Sequence, residues 1–222
     1  MAKIHDVEQG SGDWMMLRLG IPTASEFHKI ITPAKLELST QWKGYAYRLI
    51  AEKLLNRPMQ SLEGLEWIER GKELEPQAVK VYEMTEEVET KAVGFITTND
   101  GLIGASPDRL IVGQNAGVEI KCPAPQTHIQ YMLEDFGNDY RIQVQGQMYV
   151  GEFDFIDRYS WHPEMPPHKF RTGRDDGVIK ILDARLREFN DKMFELLERV
   201  RANGFFAEHQ TMPMPQDTEL QE

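Results

Sequence analysis

The stretch Ser106-Pro107-Asp108-Arg109-Leu110-Ile111-Val112-Gly113-Gln114-Asn115-Ala116-Gly117-Val118-Glu119-Ile120-Lys121-Cys122-Pro123 decides how this chain is read. Its two β-rich runs, Arg109–Val112 and Gly117–Lys121, predict a hairpin that turns near Gly113-Gln114. Residues two apart on a strand share a face, so Glu119 and Lys121 project together while Ile120 points the other way, into a core. In that hairpin Asp108 falls opposite Glu119, and directly opposed Cβ atoms lie about 4.5–5.5 Å apart. Two carboxylates and one ammonium then converge on one spot.

Two carboxylates that close repel unless something positive lies between them. A hard cation with oxygen ligands meets that need, and Mg²⁺ is typically held by one or two carboxylates, waters and substrate phosphate. The Ile120 carbonyl is a further candidate ligand. A metal-activated water is a nucleophile, and Lys121 can orient it or stabilise charge on phosphate oxygens. The set suits phosphodiester hydrolysis. On spacing alone, however, an acid after proline and an E-x-K strand are more often a solvated face with a cross-strand ion pair.

Outward from this hairpin, the pattern predicts a helix over about Ala24–Ile31, entered through Pro22-Thr23. A second begins after Ser39-Thr40, with Tyr45, Leu49, Leu54 and Leu55 at helical spacing, and stops at Asn56-Arg57-Pro58. A third spans Ser61 to about Glu83, and Pro76 within it predicts a break or kink after Glu75. Val93–Thr97 and Leu102–Ala105 join the hairpin as consecutive strands of a meander. Helices follow over Gln126–Asp135 and, after an Asn138 cap, Asp139–Val150. Phe153–His162 and Val178–Ile181 read as strands, and Asp183 reads as the cap of a long amphipathic helix ending at Asn203-Gly204. The order predicts an α/β fold: one domain over residues 1–208 with a mixed central sheet flanked by helices, then a disordered tail over 209–222.

The segment Ser106-Pro107-Asp108 … Glu119-Ile120-Lys121 resembles the PD-(D/E)xK core of the restriction-endonuclease-like nucleases, specifically the phage-lambda-type exonuclease and viral recombinase branch. Three further blocks resemble that branch in the same order. They are Trp14-Met15-Met16-Leu17-Arg18 with Thr23-Ala24-Ser25-Glu26; Gly71-Lys72-Glu73-Leu74-Glu75; and Tyr140-Arg141-Ile142-Gln143-Val144-Gln145. The resemblance implies a metal site of Asp108, Glu119, the Ile120 carbonyl and Glu75, with Lys121 as the catalytic lysine and Gln143 bordering it. It implies that Arg18, Ser25 and Ser106 grip the 5′-phosphate of the degraded strand. It implies two ions per site, Mg²⁺ with Mn²⁺ as the alternative, and 5′→3′ digestion of linear double-stranded DNA to 5′-mononucleotides. The partners implied are two further copies in a homotrimer ring and a phage-type single-strand annealing protein that uses the 3′ strand left behind. The alternatives are a structure-specific or restriction-like endonuclease sharing the metal core, and a non-catalytic DNA-binding recombination scaffold. The intact Asp108, Glu119 and Lys121 speak against a scaffold, which needs no lysine beside its metal.

Composition bears on this unevenly. Among 222 residues, 41% are hydrophobic and 27% charged, the balance of an ordinary globular protein. No apolar run approaches the roughly 18 residues of a membrane span. The start Met1-Ala2-Lys3-Ile4-His5-Asp6 lacks a signal-peptide pattern and Cys122 is the single cysteine, so the expected setting is the cytoplasm of a bacterium hosting a phage or prophage. A net charge of −11 runs against nucleic-acid binding, which usually draws on excess Lys and Arg. A cleft that concentrates basic residues, and divalent metals, can supply the missing positive charge.

Overall fold

The hairpin forms as its residues predict. In the computed structural model, which describes residues 1–59, 65–137 and 139–204 (side chains of 65–72 and 139 excepted), β5 (Arg109–Ile111) pairs antiparallel with β6 (Ala116–Lys121). Arg109 lies opposite Val118 and Leu110 opposite Gly117, and Gly113 takes the positive φ of 77° that the turn requires. The Asp108 N–H donates to the Val118 carbonyl at 3.1 Å, so the same register carries Asp108 to the level of Glu119.

Around this hairpin a mixed sheet assembles in the order β2-β5-β6-β7-β8, with β2 at Thr90–Ala92, β7 at Phe155–His162 and β8 at Met165–Gly173. Only β6 and β7 pair in parallel within this sheet. Parallel neighbours need a long crossover, here supplied by α4 (Pro125–Glu134) and α5 (Asp139–Gly151). A second sheet, ordered β1-β3-β4, contains Lys3–His5, Phe95–Thr97 and Gly104–Ala105. The expected α/β class with a mixed sheet flanked by helices therefore holds, but the anticipated single meander divides between two sheets.

The central strands β6 and β7 of the mixed sheet bury both faces. Val118, Ile120, Tyr159 and Trp161 pack with Ala78 and Tyr82 of α3 (Leu65–Glu86). Ile156 joins Ile142 and Met148 of α5, Leu49 of α2 (Trp42–Leu55) and Leu186 and Phe189 of α6 (Asp176–Ala202) in the larger cluster. Alternation along β6 sends Ile120 into the α3 layer and leaves Glu119 facing α5. Gly146 of α5 lets that helix settle on the 3₁₀ turn Ala24–Lys29, because a Cβ there would lie 2.5 Å from a Phe27 ring carbon. This close approach brings the glutamine face of α5 and the Ser25 turn to the same side of the sheet.

Several local readings are corrected. Val178–Ile181 is helix, because Asp175, not Asp183, is the cap: its carboxylate accepts from Val178 N at 3.1 Å. Val178, Ile179, Leu182 and Leu186 are then buried at helical spacing, which outweighs the local β-branched preference. Strands β2 and β8 were missed from sequence, and in β8 Pro166 and Pro167 argue against a strand; β8 is the longer of the two. It sits at the sheet edge, where missing N–H groups are tolerated. The short helix α1 (Gly12–Leu17) and β1 were also not anticipated, and Ala24–Lys29 is a 3₁₀ turn rather than an α-helix. Pro76 does not end α3; it is exposed, while Ala78 and Tyr82 beyond it are buried and carry the helix onward. The start of that helix from Ser61, the Asn138 cap, the end of the domain past residue 204 and the tail lie outside the described residues. No helix among those described is long and apolar enough to cross a membrane.

Candidate active site

Glu119 is only 3% exposed, and a carboxylate so placed is costly unless its oxygens are paired. They are: Lys121 Nζ donates to Oε1 at 2.6 Å, Gln143 Nε2 to Oε1 at 2.5 Å and Gln147 Nε2 to Oε2 at 2.5 Å. Strand alternation places Lys121 on the same face as Glu119, and the i,i+4 spacing of a helix aligns the two glutamines. Removal from water works against the Lys121 ammonium, but Glu119 and Asp108 outweigh that and raise its pKa. Lys121 Nζ also lies 5.5 Å from the Tyr140 ring centre.

Asp108 turns its carboxylate onto β6, where Oδ2 accepts from Ile120 N at 2.6 Å. Removal from water, then the charge of Glu119, holds the Asp108 carboxyl well above the usual carboxylate range, against the opposing pull of Lys121. Glu75 on α3 is half-buried, and its pKa is raised by removal from water and by Glu119, with Lys121 and Arg109 opposing. Three acidic groups thus sense one another across β6. Their mutual repulsion, incompletely offset by Lys121, is a deficit that a divalent cation would offset, and their hard oxygens are of the type that suits Mg²⁺ or Mn²⁺. Among the described residues no three His, Cys, Asp or Glu side chains form a ready-made cage. The side chains present would suit an ion held by two carboxylates together with water and phosphate.

A pocket built around Arg18 adjoins this centre. Arg18 Nη1 donates to Ser106 Oγ at 3.3 Å and Nη2 to Thr23 Oγ1 at 3.4 Å, and the Thr23 and Ser25 hydroxyls lie 3.5 Å apart. The Arg18 guanidinium stacks 4.0 Å from the Trp14 ring centre, while Trp14 Nε1 donates to Ser106 Oγ at 3.1 Å. Burial lowers the pKa of Arg18, with Tyr45, Glu26 and Glu52 opposing. The guanidinium faces a cavity of about 220 Å³ that Glu26, Arg48 and Glu52 also line. Ser106 is two residues from Asp108, so the pocket and the carboxylates are neighbours.

On the far side of Lys121 and Gln143 opens a cleft of about 850 Å³, also lined by Ser25, His28, Tyr131 and Tyr140. The structure therefore brings Asp108, Glu119, Lys121 and Gln143 into one cluster, keeps Glu75 within electrostatic reach and joins Arg18, Ser106 and, through Thr23, Ser25. The Ile120 side chain is buried on the opposite face, as its alternation predicts. Gln147 was not anticipated, and it completes the cradle of Glu119. The i,i+4 spacing was the available signal, since both glutamines face whatever α5 covers. Gln145 has a different task, joining Gly173 O and Asp175 N at 2.9 and 3.0 Å to tie α5 to the start of α6.

Residues 13–154 match the YqaJ-like viral recombinase domain. An alkaline exonuclease from Laribacter hongkongensis superposes with a TM-score of 0.77 at 27% identity, over 87% of this chain and 97% of that one. The structure of that enzyme in complex with dAMP gives a TM-score of 0.78 at 27% identity and the same 87% and 97% coverage. A phage-related exonuclease from Haemophilus somnus 129PT shares the fold, with a TM-score of 0.66 at 18% identity over 81% of this chain and 96% of that one. No curated protein matches the chain.

Proposed function

The chain belongs to the YqaJ-like viral recombinase family, and from that premise we propose that it is a divalent-metal-dependent DNA exonuclease. It degrades one strand of linear duplex DNA 5′→3′, releases 5′-mononucleotides and leaves a 3′ single strand for an annealing protein. The observation that carries this reading is Glu119, buried yet cradled by Lys121, Gln143 and Gln147 beside the Asp108 carboxylate. A surface ion pair needs no such enclosure.

Asp108, Glu119 and the Ile120 carbonyl would hold one Mg²⁺ or Mn²⁺, with Glu75 reaching a second. When bound, the metal supplies Lewis-acid polarisation of the scissile phosphate and a more acidic attacking water. Gln143 and Gln147 fix the Glu119 carboxylate in orientation. The Lys121 ammonium faces the reacting phosphate and stabilises the charge that develops on its oxygens. Arg18 reads the doubly charged terminal phosphate as a planar fork, supported by Ser106 and Ser25. A terminal phosphate held beside Ser106 would set the next phosphodiester against Asp108.

The net charge of −11 bears on assembly, because most of such a surface repels phosphate. A homotrimer ring would keep the duplex enclosed with few phosphate contacts, and three-fold closure leaves no interface unpaired. Loading would then be salt-sensitive, and digestion after loading salt-tolerant. Cytoplasmic action in a phage-bearing bacterium fits this activity.

The deciding experiment uses linear duplex labelled separately at its 5′ and 3′ ends, with and without Mg²⁺, beside a closed circle. Early release of the 5′ label as mononucleotide, dependent on metal and absent from the circle, is the expected result. Cutting of the circle would make the protein an endonuclease; no cutting of either would make it a scaffold. Light scattering alongside should give the mass of three chains, and a monomer at full processive activity would remove the ring.

A further inference from the structure

We propose that Tyr131 and Tyr140, backed by Phe136, form a stacking platform for an unpaired base of the strand being degraded. The inference deepens the nuclease reading and rests on it for the identity of the ligand. Tyr131 and Tyr140 are half-buried and line the cleft of about 850 Å³ that opens beside Lys121 and Gln143, a volume that admits a nucleoside.

The rings hold one another in place. Tyr131 stacks on Phe136 with centroids 4.6 Å apart and planes 21° from parallel. Tyr140 meets both edge-on, at 6.0 Å from Tyr131 and 6.2 Å from Phe136, and the Tyr131 hydroxyl donates to that of Tyr140 at 3.2 Å. Behind them the guanidinium of Arg158, itself 5% exposed, lies 5.1 Å from the Phe136 ring centre and 4.6 Å from that of Phe170. Arg158 is the residue beside Glu119 in the parallel β6–β7 register, so the backing of the platform and the catalytic carboxylate hang from neighbouring positions. Aromatic groups set this rigidly can stack a ligand with little further ordering cost.

Charge decides which part of a nucleotide belongs here. Glu134 and Asp135 line the same cleft beside the rings' residues and disfavour phosphate, while Lys121, paired with Glu119, brings an ammonium to the lining for the reacting phosphate. A neutral base against the rings and its phosphate at Lys121 satisfies both. A base leaving a duplex loses its neighbours, and an aromatic face replaces that stacking for any of the four bases, since each has a π-face. The platform thus favours fraying of the end without imposing sequence preference.

The test compares duplexes whose two 5′-terminal nucleotides are unpaired and carry either normal bases or abasic sugars, so that pairing energy drops out. Binding is followed by fluorescence anisotropy with Ca²⁺ in place of Mg²⁺, for wild type, Tyr131→Leu and Tyr131→Phe. The wild type should bind the normal end about 10-fold more tightly than the abasic end, on the scale of one base–aromatic stack. Tyr131→Phe, which keeps the ring, should retain that ratio, and Tyr131→Leu should bring it close to one. Equal wild-type affinity for the two ends, or an unchanged ratio in Tyr131→Leu, overturns the platform. Digestion of the same duplexes in Mg²⁺ separates the two readings. A preserved affinity ratio without any cleavage would sink the nuclease and leave the platform standing; cleavage without the ratio would do the reverse.

Discussion

Glu119 accepts three hydrogen bonds of 2.5–2.6 Å, whereas Arg18 is joined to Ser106 and Thr23 by bonds of 3.3 and 3.4 Å. The first group is inside the protein and held by three close donors, with an acceptor position left on Oε2; the second is stacked on Trp14 and holds its hydroxyl partners loosely. A carboxylate meant to present a fixed oxygen to a metal must not move, and close donors remove its alternatives. A guanidinium meant to receive a phosphate must keep donors in reserve, and long bonds to hydroxyls are easily exchanged for charge-assisted ones. On the proposed function the two ends have different tasks, one to hold geometry and one to recognise phosphate.

The largest effect that could break this contrast is at Glu119. Glu119→Gln should abolish measurable cleavage and eliminate Mg²⁺ binding by calorimetry, since it removes the charge around which Lys121, Gln143 and Gln147 are arranged. Full activity with unchanged metal affinity would return Glu119 to a structural role. Lys121→Ala should reduce turnover by roughly 10²–10³-fold, the scale for losing one charge stabiliser, while keeping metal binding and fold. Near-normal single-turnover rates in this variant would reduce Lys121 to an ion-pair partner.

Arg18→Ala should act on recognition rather than chemistry. The preference for 5′-phosphate over 5′-hydroxyl ends should fall by about 10-fold or more, the worth of a charge-assisted hydrogen bond, with a smaller change on hydroxyl ends. An unaltered ratio would place the end-reading pocket elsewhere. Gln147→Leu sharpens the contrast from the other side. It leaves one Glu119 oxygen without its donor, so kcat should drop several-fold with KM for DNA unchanged.

The smallest effect concerns stability without metal. Because the folded Asp108 carboxyl sits above its ordinary range, the native state binds its proton more tightly than the unfolded chain does. Metal-free stability from this group should therefore grow as pH falls from the raised native value toward the ordinary carboxylate value, and be lost as pH rises through the raised value. Asp108→Asn removes the charge while its amide oxygen can still accept from Ile120 N. It should raise the metal-free Tm near neutral pH by roughly 2–4 °C, what about 1 kcal/mol produces in a chain of this size, while cleavage disappears. A lower Tm would mean that the carboxylate stabilises the fold outright.

Much of the site was legible because it is local. Asp108, Glu119 and Lys121 belong to one hairpin, and a period of two with a glycine turn suffices to set them together. Glu75 and Gln143 needed the resemblance, because a glutamate on a Glu-rich helix and a glutamine on a polar one carry no signal of their own. Gln147 escaped, since its buried position follows from how α5 lies on β6. In the fold, the errors gathered where tertiary burial overrode local preference: β-branched residues in the first turn of α6 and prolines in edge strand β8.

The sequence by itself determined the E-x-K face, the hairpin turn at Gly113 and the amphipathic period of α6, because alternation, turn geometry and helical spacing act over a few residues. Only the tertiary structure decided that Arg18 meets Ser106 across 88 positions, that Gln147 faces Glu119 across 28, and that Arg158 backs the aromatic wall of the cleft. Those contacts depend on the order in which strands join a sheet and on the distance at which α5 packs, set here by the bare Cα of Gly146 against Phe27. Such long-range placement is fixed by the joint burial of both sheet faces, which no short window of residues contains.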